Sequence, residues 1–560
     1  MLKQPYTELL QTILLHPGND PRPARSGRRL PLARVVRTGV LPEGQVSSQV
    51  LTQLASYYLA FVAADVTSLH DTVNYILWKP YCCEEKGKLD RECTPNEVPV
   101  DDPVHRHSGL RCLNLTRPMS FQSTGCLPND TVPTRITSST PLFDMSGVYG
   151  NTQKELADKG RLFQRGLLKY EVDDSGRIWP PSTKTPVDLC LLNQKPVETR
   201  CHDGPSSGMN SIFGVNMMSI WFWREHNRIA EELSNMNPCW DDEKTFHYAR
   251  DISIATYLQI LYYELLPLLM GRKSLIKDGV ISSTPDHRDL YNEQYSPQMS
   301  SEFLMSMRWT HNLQETKIKL MEENGKVVGE YPMVNLTLRT GYLALGRHME
   351  QITQGSFRQP GAKADHLIDP DVTELALGPH QRSSDVATSD LAKNRLAGLS
   401  SYTSYLEFCR GRPYNTFESL LEVMDNERIE KLRELYECVE DIDLLAGMWA
   451  ENLVPGGFVP HTFYCLVSEH LVRNVVSDRH WYERAERPLA FSAHQLREVR
   501  NATMARLLCD NGDSVRAIQP RAFERIAPGN DLVSCDQIPP VNLVAWKDRS
   551  CHGHYMGYRH

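Results

Sequence analysis

Ser300-Ser-Glu-Phe-Leu-Met-Ser-Met-Arg-Trp-Thr-His-Asn312 is a short, largely apolar segment with a histidine close to its end. Its spacing predicts a helix in which Arg308 lies one turn before His311, so both side chains share a face. A neutral imidazole is a common metal ligand, but most histidines on such a helix are ordinary core or surface residues. The role of His311 therefore depends on what the rest of the chain places around it.

The segment around His311 resembles the one that carries the proximal, iron-ligating histidine of the animal haem peroxidases. Stretches of the last third resemble the same family in order and spacing: Asp441-Ile-Asp-Leu444, Glu451-Asn-Leu-Val-Pro-Gly-Gly457, Asp478-Arg-His-Trp-Tyr-Glu483, Cys509-Asp-Asn-Gly-Asp513 and Ser534–Lys547. The resemblance covers residues 26–547, between an irregular arm at 1–25 and a tail at 548–560. It implies a mainly α-helical fold, a large single domain with few short strands.

On the proximal side, the resemblance implies haem b held by His311, with Arg308 placed to meet a haem propionate. Asp385-Val-Ala-Thr-Ser-Asp390 aligns with the family's Asp-Leu-Ala-Ala-Leu-Asn, whose asparagine accepts a hydrogen bond from the proximal histidine. Asp390 replaces that asparagine. A carboxylate partner would give the imidazole more imidazolate character and favour ferric iron.

The distal helix is predicted over residues 49–68. There the family's Gly-Gln-Phe-Leu-Asp-His-Asp-Leu aligns with Leu59-Ala-Phe-Val-Ala-Ala-Asp-Val66. Ala63 replaces the aspartate that esterifies haem, and Ala64 replaces the distal histidine. Alanine has no group that takes a proton from one peroxide oxygen and returns it to the other, so general acid/base catalysis is lost at this position.

A second loss is predicted on the same side of the pocket. Counting back from Arg224-Glu-His-Asn227 places Gly208 at the family's peroxide-polarising arginine and Ser211 at its second haem-esterifying glutamate. The sequence therefore assigns no catalytic residue at the distal positions, and haem is expected to bind non-covalently. His70 and His202 are the alternative bases, although a histidine just after the helix and one in a loop are more often solvated.

Thr140-Pro-Leu-Phe-Asp-Met-Ser146 resembles the calcium loop of the family. It offers alternating oxygen donors, and Asp65 from the distal helix would complete the set. Calcium requires hard oxygen ligands of this kind. The predicted calcium ligands are Asp65, Thr140, the Leu142 carbonyl, Asp144 and Ser146.

Composition limits the partners and the compartment. A net charge of −8 with a pI near 6.2 argues against nucleic-acid binding. The most apolar window, residues 255–270, is too short to span a bilayer. Fourteen cysteines favour disulfides, with Cys83/Cys93, Cys112/Cys126 and Cys509/Cys535 as neighbouring pairs of open connectivity.

The disulfides and four N-x-S/T sequons, at Asn114, Asn129, Asn335 and Asn501, favour a secreted, extracellular protein. Because the first residues lack the apolar core of a signal peptide, the sequence is expected to begin inside a longer precursor.

Three functions remain open. The first is a secreted, haem- and calcium-binding pseudoperoxidase with impaired or lost peroxide-dependent oxidation. The second is an active peroxidase with a rearranged distal site, which would use hydrogen peroxide and a small or protein phenolic donor. The third is an extracellular binding or structural module without haem, with a protein partner. The sequence alone does not decide whether the chain is an enzyme.

Overall fold

Helices dominate the computed structural model, which describes residues 4–5, 9–10, 14–15, 20–67, 81–122, 125, 134–137, 139–183, 190, 201–375 and 385–551. In chain order the α-helices are α1 Ala33–Val40, α2 Gln53–Val66, α3 Ser146–Tyr149, α4 Gln153–Glu155, α5 Phe213–Met236, α6 Asp242–Ile260, α7 Leu266–Met270, α8 Arg272–Lys277, α9 Ser301–Arg308, α10 His348–Arg358, α11 Pro370–Glu374, α12 Val386–Leu396, α13 Tyr402–Arg410, α14 Asn426–Leu435, α15 Leu444–Ala450, α16 His461–Ser477, α17 Ala493–Val499 and α18 Met504–Asn511. The predicted helical fold class is confirmed.

The strands are short and form two-stranded antiparallel ribbons. They are β1 Gln4–Pro5, β2 Leu14–Leu15, β3 Asp20–Pro21, β4 Ser47–Thr52, β5 Asn96–Glu97, β6 Cys112–Leu113, β7 Ile136–Thr137, β8 Glu171–Val172, β9 Ile178–Trp179, β10 Ser182–Thr183, β11 Cys201–His202, β12 Lys317–Met321, β13 Val327–Pro332, β14 Pro360–Ala362, β15 Ala517–Ile518 and β16 Val533–Ser534. The pairs are β1 with β7, β2 with β3, β4 with β14, β5 with β6, β8 with β9, β10 with β11, β12 with β13 and β15 with β16.

An aromatic cluster joins α2 to α5 and α6 at the centre of the core. The rings of Phe61 and Phe222 stack with centroids 5.5 Å apart, and Tyr58 lies against Tyr257 at 5.9 Å. The Tyr58 hydroxyl donates to the Tyr257 carbonyl over 2.7 Å, which satisfies a buried polar group. This packing fixes the orientation of α2, whose predicted start is four residues early because β4 occupies Ser47–Thr52.

The longest apolar helix is α6 with its continuation, through a π-helical turn at Leu261–Leu265, into α7. The run Asp242–Met270 is long and apolar enough to cross a membrane, and it is the only such run among the described residues. Because 72% of its most apolar window is buried inside the fold, its packing is that of a core helix.

Disulfides join distant parts of the surface to this core. The described residues contain the bonds Cys82–Cys93, Cys83–Cys112, Cys190–Cys201, Cys239–Cys551, Cys409–Cys465 and Cys509–Cys535. The neighbouring pair Cys509/Cys535 is confirmed. The neighbouring pairs Cys83/Cys93 and Cys112/Cys126 are wrong, because Cys82 bonds to Cys93 and Cys83 bonds to Cys112. Cys126 itself lies outside the described residues.

A buried charge cluster ties α1 to the start of α12. Arg34 donates to Asp102 over 2.7 Å and to Asp385 over 2.5 Å, and the Arg37 Nε donates to the same Asp385 oxygen over 2.8 Å. Both arginines also lie within 3.1 Å of a Glu374 oxygen. A buried ion pair of this kind stays bound only when its charges are matched and hydrogen-bonded, so loss of one partner is costly.

Glu374 is the acidic member of this cluster whose protonation changes near neutral pH. Burial and the neighbouring Glu43 carboxyl raise the pKa of Glu374 to about 8, although Arg34 opposes the shift. In the unfolded chain the same carboxyl has a pKa near 4.5. Between about pH 4.5 and pH 8 the folded state therefore binds more protons at this group than the unfolded state does. The stability that this group contributes is complete below about pH 4.5 and is lost as the pH rises toward 8.

Glu374→Gln keeps the neutral form at every pH. We expect the free energy of unfolding of this variant, relative to the wild type, to rise between about pH 5 and pH 8, as measured by urea denaturation at constant ionic strength. Glu434→Gln, at an exposed position, is the control and should follow the wild-type profile. Parallel pH profiles for the wild type and Glu374→Gln would contradict the prediction.

Candidate proximal and distal residues

His311 lies in a tight turn just after α9. The Ser300 side chain caps α9 by accepting from the Phe303 amide over 3.0 Å, and the helix continues beyond Arg308 as a 3₁₀ turn, Trp309–Leu313. Trp309 is buried and donates from its indole nitrogen to the Met448 carbonyl over 3.2 Å. This anchor holds the turn, while the His311 side chain remains 39% exposed.

Asp390 on α12 accepts hydrogen bonds from both predicted proximal residues. The His311 Nδ1 donates to one carboxylate oxygen over 2.7 Å, and an Arg308 Nη donates to the other over 2.7 Å. Burial alone would raise the pKa of Asp390, but the charges of His311 and Arg308 outweigh it and lower that pKa. The carboxylate therefore stays ionised and orients the imidazole.

The contacts of Asp390 affect both predicted proximal residues, His311 and Arg308. Because Nδ1 is used by Asp390, the Nε2 of His311 is the nitrogen left for a metal, and it makes no hydrogen bond within the described residues. Arg308 is paired with Asp390, whereas the sequence predicts a contact with a haem propionate. The sequence interpretation missed this ion pair, since nothing in the spacing of residues 82 positions apart reports their distance.

Helix α2, which carries residues 63 and 64, packs against α9 and the His311 turn. Ala63 is half-buried and Ala64 is exposed. Neither side chain can accept or donate a proton. His70, one of the alternative bases, lies outside the described residues.

Gly208 lies in a 3₁₀ turn, Ser207–Asn210, that leads into α5. The Ser206 side chain accepts from the Gly208 amide over 3.2 Å, and the Ser211 hydroxyl donates to the Gly208 carbonyl over 2.7 Å. A Cβ atom at Gly208 would meet only the Ser206 hydroxyl, at 3.2 Å. A side chain at this position would require the Ser206 hydroxyl to shift by a few tenths of an ångström, and glycine provides no cation.

His202, the second alternative base, is not solvated as the sequence analysis expects. It is 1% exposed, and its ring stacks on Trp179 with centroids 6.2 Å apart and an interplanar angle of 14°. Its Nδ1 lies 3.4 Å from the Pro180 carbonyl. The expectation fails because β11 pairs with β10 and turns the side chain inward, where it is part of the core.

Asp65 connects α2 to the predicted calcium loop. Its carboxylate accepts from the Met145 amide over 3.1 Å and from the Ser146 amide over 2.5 Å. The Ser146 hydroxyl donates back to the Asp65 carbonyl over 2.7 Å. In the same loop the Thr140 hydroxyl donates to Asp144 over 2.8 Å and lies 3.3 Å from the Leu142 carbonyl. The structure thus brings all five predicted ligands together.

The two carboxylates of this loop are buried and carry excess negative charge. Burial, followed by the charge of Asp144, raises the pKa of Asp65 to about 7. Burial also raises the pKa of Asp144, although Arg250 opposes it. A bound divalent cation would offset both effects, so the donor set fits an oxygen-seeking ion such as calcium.

A family model and two curated relatives match this chain, and their names refer to peroxidases or to a peroxidasin. The family model described as animal haem peroxidase matches residues 4–523. The peroxidase of Drosophila melanogaster is 30% identical over 544 residues, which cover 95% of this chain and 78% of that protein. The human peroxidasin homolog is 27% identical over 566 residues, which cover 97% of this chain but 37% of that protein.

Solved structures show the same fold at low identity. Peroxidase A from Dictyostelium discoideum aligns with a TM-score of 0.73 and 22% identity, covering 93% of this chain and 96% of that chain. The fatty acid alpha-dioxygenase of Oryza sativa aligns with a TM-score of 0.68 and 16% identity, covering 93% and 84% of the two chains. At these identities the likeness concerns the fold alone.

Proposed function

The chain belongs to the animal haem peroxidase family, and from this premise we propose that it is a secreted, calcium-stabilised pseudoperoxidase. It binds haem through His311 and has lost most peroxide cleavage. The observation that carries this proposal is a contrast between the positions aligned with the family's proximal and distal residues. His311 is oriented by Asp390, whereas Ala64 and Gly208, aligned with the distal histidine and arginine, provide neither a base nor a cation.

The proximal residues fit haem. His311 is partly exposed, its Nδ1 is held by a carboxylate, and its Nε2 is the nitrogen available to iron. Haem bound there would supply an iron centre for ligand binding and electron transfer. Asp390 would hold the imidazole in one tautomer, and Arg308 would balance the charge of that carboxylate. Ala63 and Ser211 lack the carboxylates that form the family's esters with haem, so we expect haem to be held without those covalent links.

The proposed loss of peroxide cleavage follows from the residues at the two distal positions. General acid/base catalysis contributes about 10²- to 10⁴-fold to a rate, and electrostatic stabilisation by a fixed cation adds to it. Both contributions are absent at Ala64 and Gly208. The burial of His202 against Trp179 argues against its recruitment as a replacement base.

Secretion is supported by the disulfides and by exposed glycosylation sequons. Disulfides persist in oxidising compartments. Asn335 and Asn501 are exposed, and the half-buried Asn114 accepts from the Cys83 amide over 2.9 Å. Asn129 lies outside the described residues.

Haem binding is tested with His311→Ala. We expect the wild type titrated with haemin to develop a Soret band with one-to-one stoichiometry, and His311→Ala to lose it, because no other side chain replaces the iron ligand. Added imidazole should restore the band in the variant by filling the space left by the side chain.

Asp390→Asn should keep the Soret band but shift the iron reduction potential upward, since a carboxylate favours ferric iron.

His247→Ala, at an exposed histidine, is the control and should leave the titration unchanged. A wild-type protein that shows no saturable Soret band, or a His311→Ala variant that binds haemin as tightly as the wild type, would contradict haem binding at this position. The first result would favour an extracellular binding module with an empty pocket.

Calcium binding is tested with Asp144→Asn. We expect calcium to raise the melting temperature of the wild type over its value in a chelator, because the ion offsets the repulsion between Asp65 and Asp144. The variant should lose most of this difference while unfolding in chelator no lower than the wild type, since an amide removes the repulsion. Asp174→Asn, an exposed substitution, should retain the full calcium effect. An unchanged calcium effect in Asp144→Asn would exclude this loop as the binding site.

A further inference from the structure

A cavity lies along one face of α16, and none of the residues predicted to bind haem or calcium lines it. Its volume is about 530 Å³, within the range of about 300–1,000 Å³ that is typical of small-molecule sites. Tyr464, Ser468 and Val472 follow each other at intervals of four residues and share this face of the helix. Phe463 and Val467, on the opposite face, line a separate and much smaller apolar cavity together with residues of α9. The body of α16 therefore stands between the larger cavity and α9.

The cavity wall holds one carboxylate that forms no ion pair with any described residue. This is Asp278, an exposed residue directly after α8, which accepts from the Tyr464 hydroxyl over 2.6 Å. The other acidic side chain of the wall, Glu469, is neutralised within the helix, because the Arg473 Nε donates to it over 3.0 Å. These side chains together leave an excess of one negative charge.

His461 adds no positive charge to this balance. Burial and the charge of Arg410 lower the pKa of His461, so its imidazole is neutral near pH 7. Arg410 is itself paired with Glu422 over 3.0 Å. A wall with an unmatched carboxylate attracts a ligand of the opposite sign, so the cavity favours a cation.

Three buried polar atoms of the residues that line the cavity have no hydrogen-bond partner within the described part of the chain. They are the Ser468 Oγ, the His461 Nδ1 and the Glu469 Oε2. The whole Ser468 residue is 7% exposed. Buried polar groups are normally paired with protein, water or a ligand. A hydroxyl, a carboxylate and the unprotonated nitrogen of a neutral imidazole each accept a hydrogen bond, so these atoms suit a ligand rich in donors.

The remaining walls of the cavity are apolar or aromatic. Val472, Val476 and the disulfide Cys409–Cys465 line it, and the Tyr295 ring, which is 48% exposed, lies at its open side. Apolar walls favour a hydrocarbon body, and the face of a tyrosine ring attracts a cation. The cavity therefore combines a site for positive charge with a surface for an aromatic group.

We propose that this cavity binds a small aromatic amine, with Asp278 as the counter-ion of the ammonium group. An ammonium group has three donors and no acceptor, which matches the Asp278 carboxylate and the unpaired acceptors of Ser468 and Glu469. The aromatic body packs against the valines and Tyr295. This site requires neither haem nor the distal residues that the chain has lost, so it stands apart from the proposed function.

Isothermal titration calorimetry of the full chain tests the charge of the ligand with three probes that share one aromatic body. We expect phenethylamine, a cation near pH 7, to bind saturably at a single site. The neutral 2-phenylethanol and the anionic phenylacetate should bind at least about tenfold more weakly, because neither forms an ion pair with Asp278. The Soret absorbance, recorded in parallel, reports any amine that binds to haem iron instead.

Substitutions locate the site. Asp278→Asn should weaken phenethylamine binding at least about tenfold, because the amide oxygen still accepts from Tyr464 but the negative charge is gone. Ser468→Ala should weaken it by about threefold or more, since one hydrogen bond to the ammonium is lost. Asp286→Asn removes another exposed carboxylate of the same charge and is the matched control, which should bind as the wild type does.

His311→Ala separates this site from haem ligation, because that variant should bind phenethylamine as the wild type does. The proposal is excluded if the folded wild type shows no saturable binding of phenethylamine, or if Asp278→Asn binds it as tightly as the wild type. Phenylacetate that binds as tightly as the amine would also exclude it, since a cation such as Arg473 would then be the group that recognises the ligand.

Discussion

The carboxylate of Asp390 is the interaction on which the proposed site depends. One of its oxygens accepts from His311 and the other from Arg308, so a single buried group joins α9, the His311 turn and α12. An uncompensated buried carboxylate would lose its proton only with difficulty, and it would then orient the imidazole poorly. The contacts with His311 and Arg308 keep Asp390 ionised, and the His311 Nδ1 is fixed by a hydrogen bond while its Nε2 makes none with the described residues.

The position of Asp390 is itself set by charges farther along α12. Asp385 caps this helix by accepting from the Thr388 amide over 2.8 Å, and the same side chain accepts from Arg34 and Arg37 of α1. The arginine pair therefore fixes the start of the helix five residues before Asp390. The His311 and Asp390 positions are held by buried ionic contacts, whereas Ala64 and Gly208, the residues aligned with the family's distal histidine and arginine, are themselves uncharged.

Sequence patterns predict the helical fold and identify His311, Asp390 and the predicted calcium loop as candidates, because each is carried by a contiguous motif. They do not predict the Arg308–Asp390 ion pair, which depends on how two helices meet. The expected exposure of His202 is wrong for the same reason, since strand pairing buries it.

The central claim is that the chain keeps the proximal half of a peroxidase and lacks the distal half. It is tested most directly by stopped-flow measurement of hydrogen peroxide consumption by haem-loaded wild type and by the double variant Ala64→His/Gly208→Arg. The account predicts slow consumption by the wild type and an increase of about 10²-fold or more in the double variant, because a base and a cation return together. Fast consumption by the wild type, unaffected by these substitutions, would contradict it.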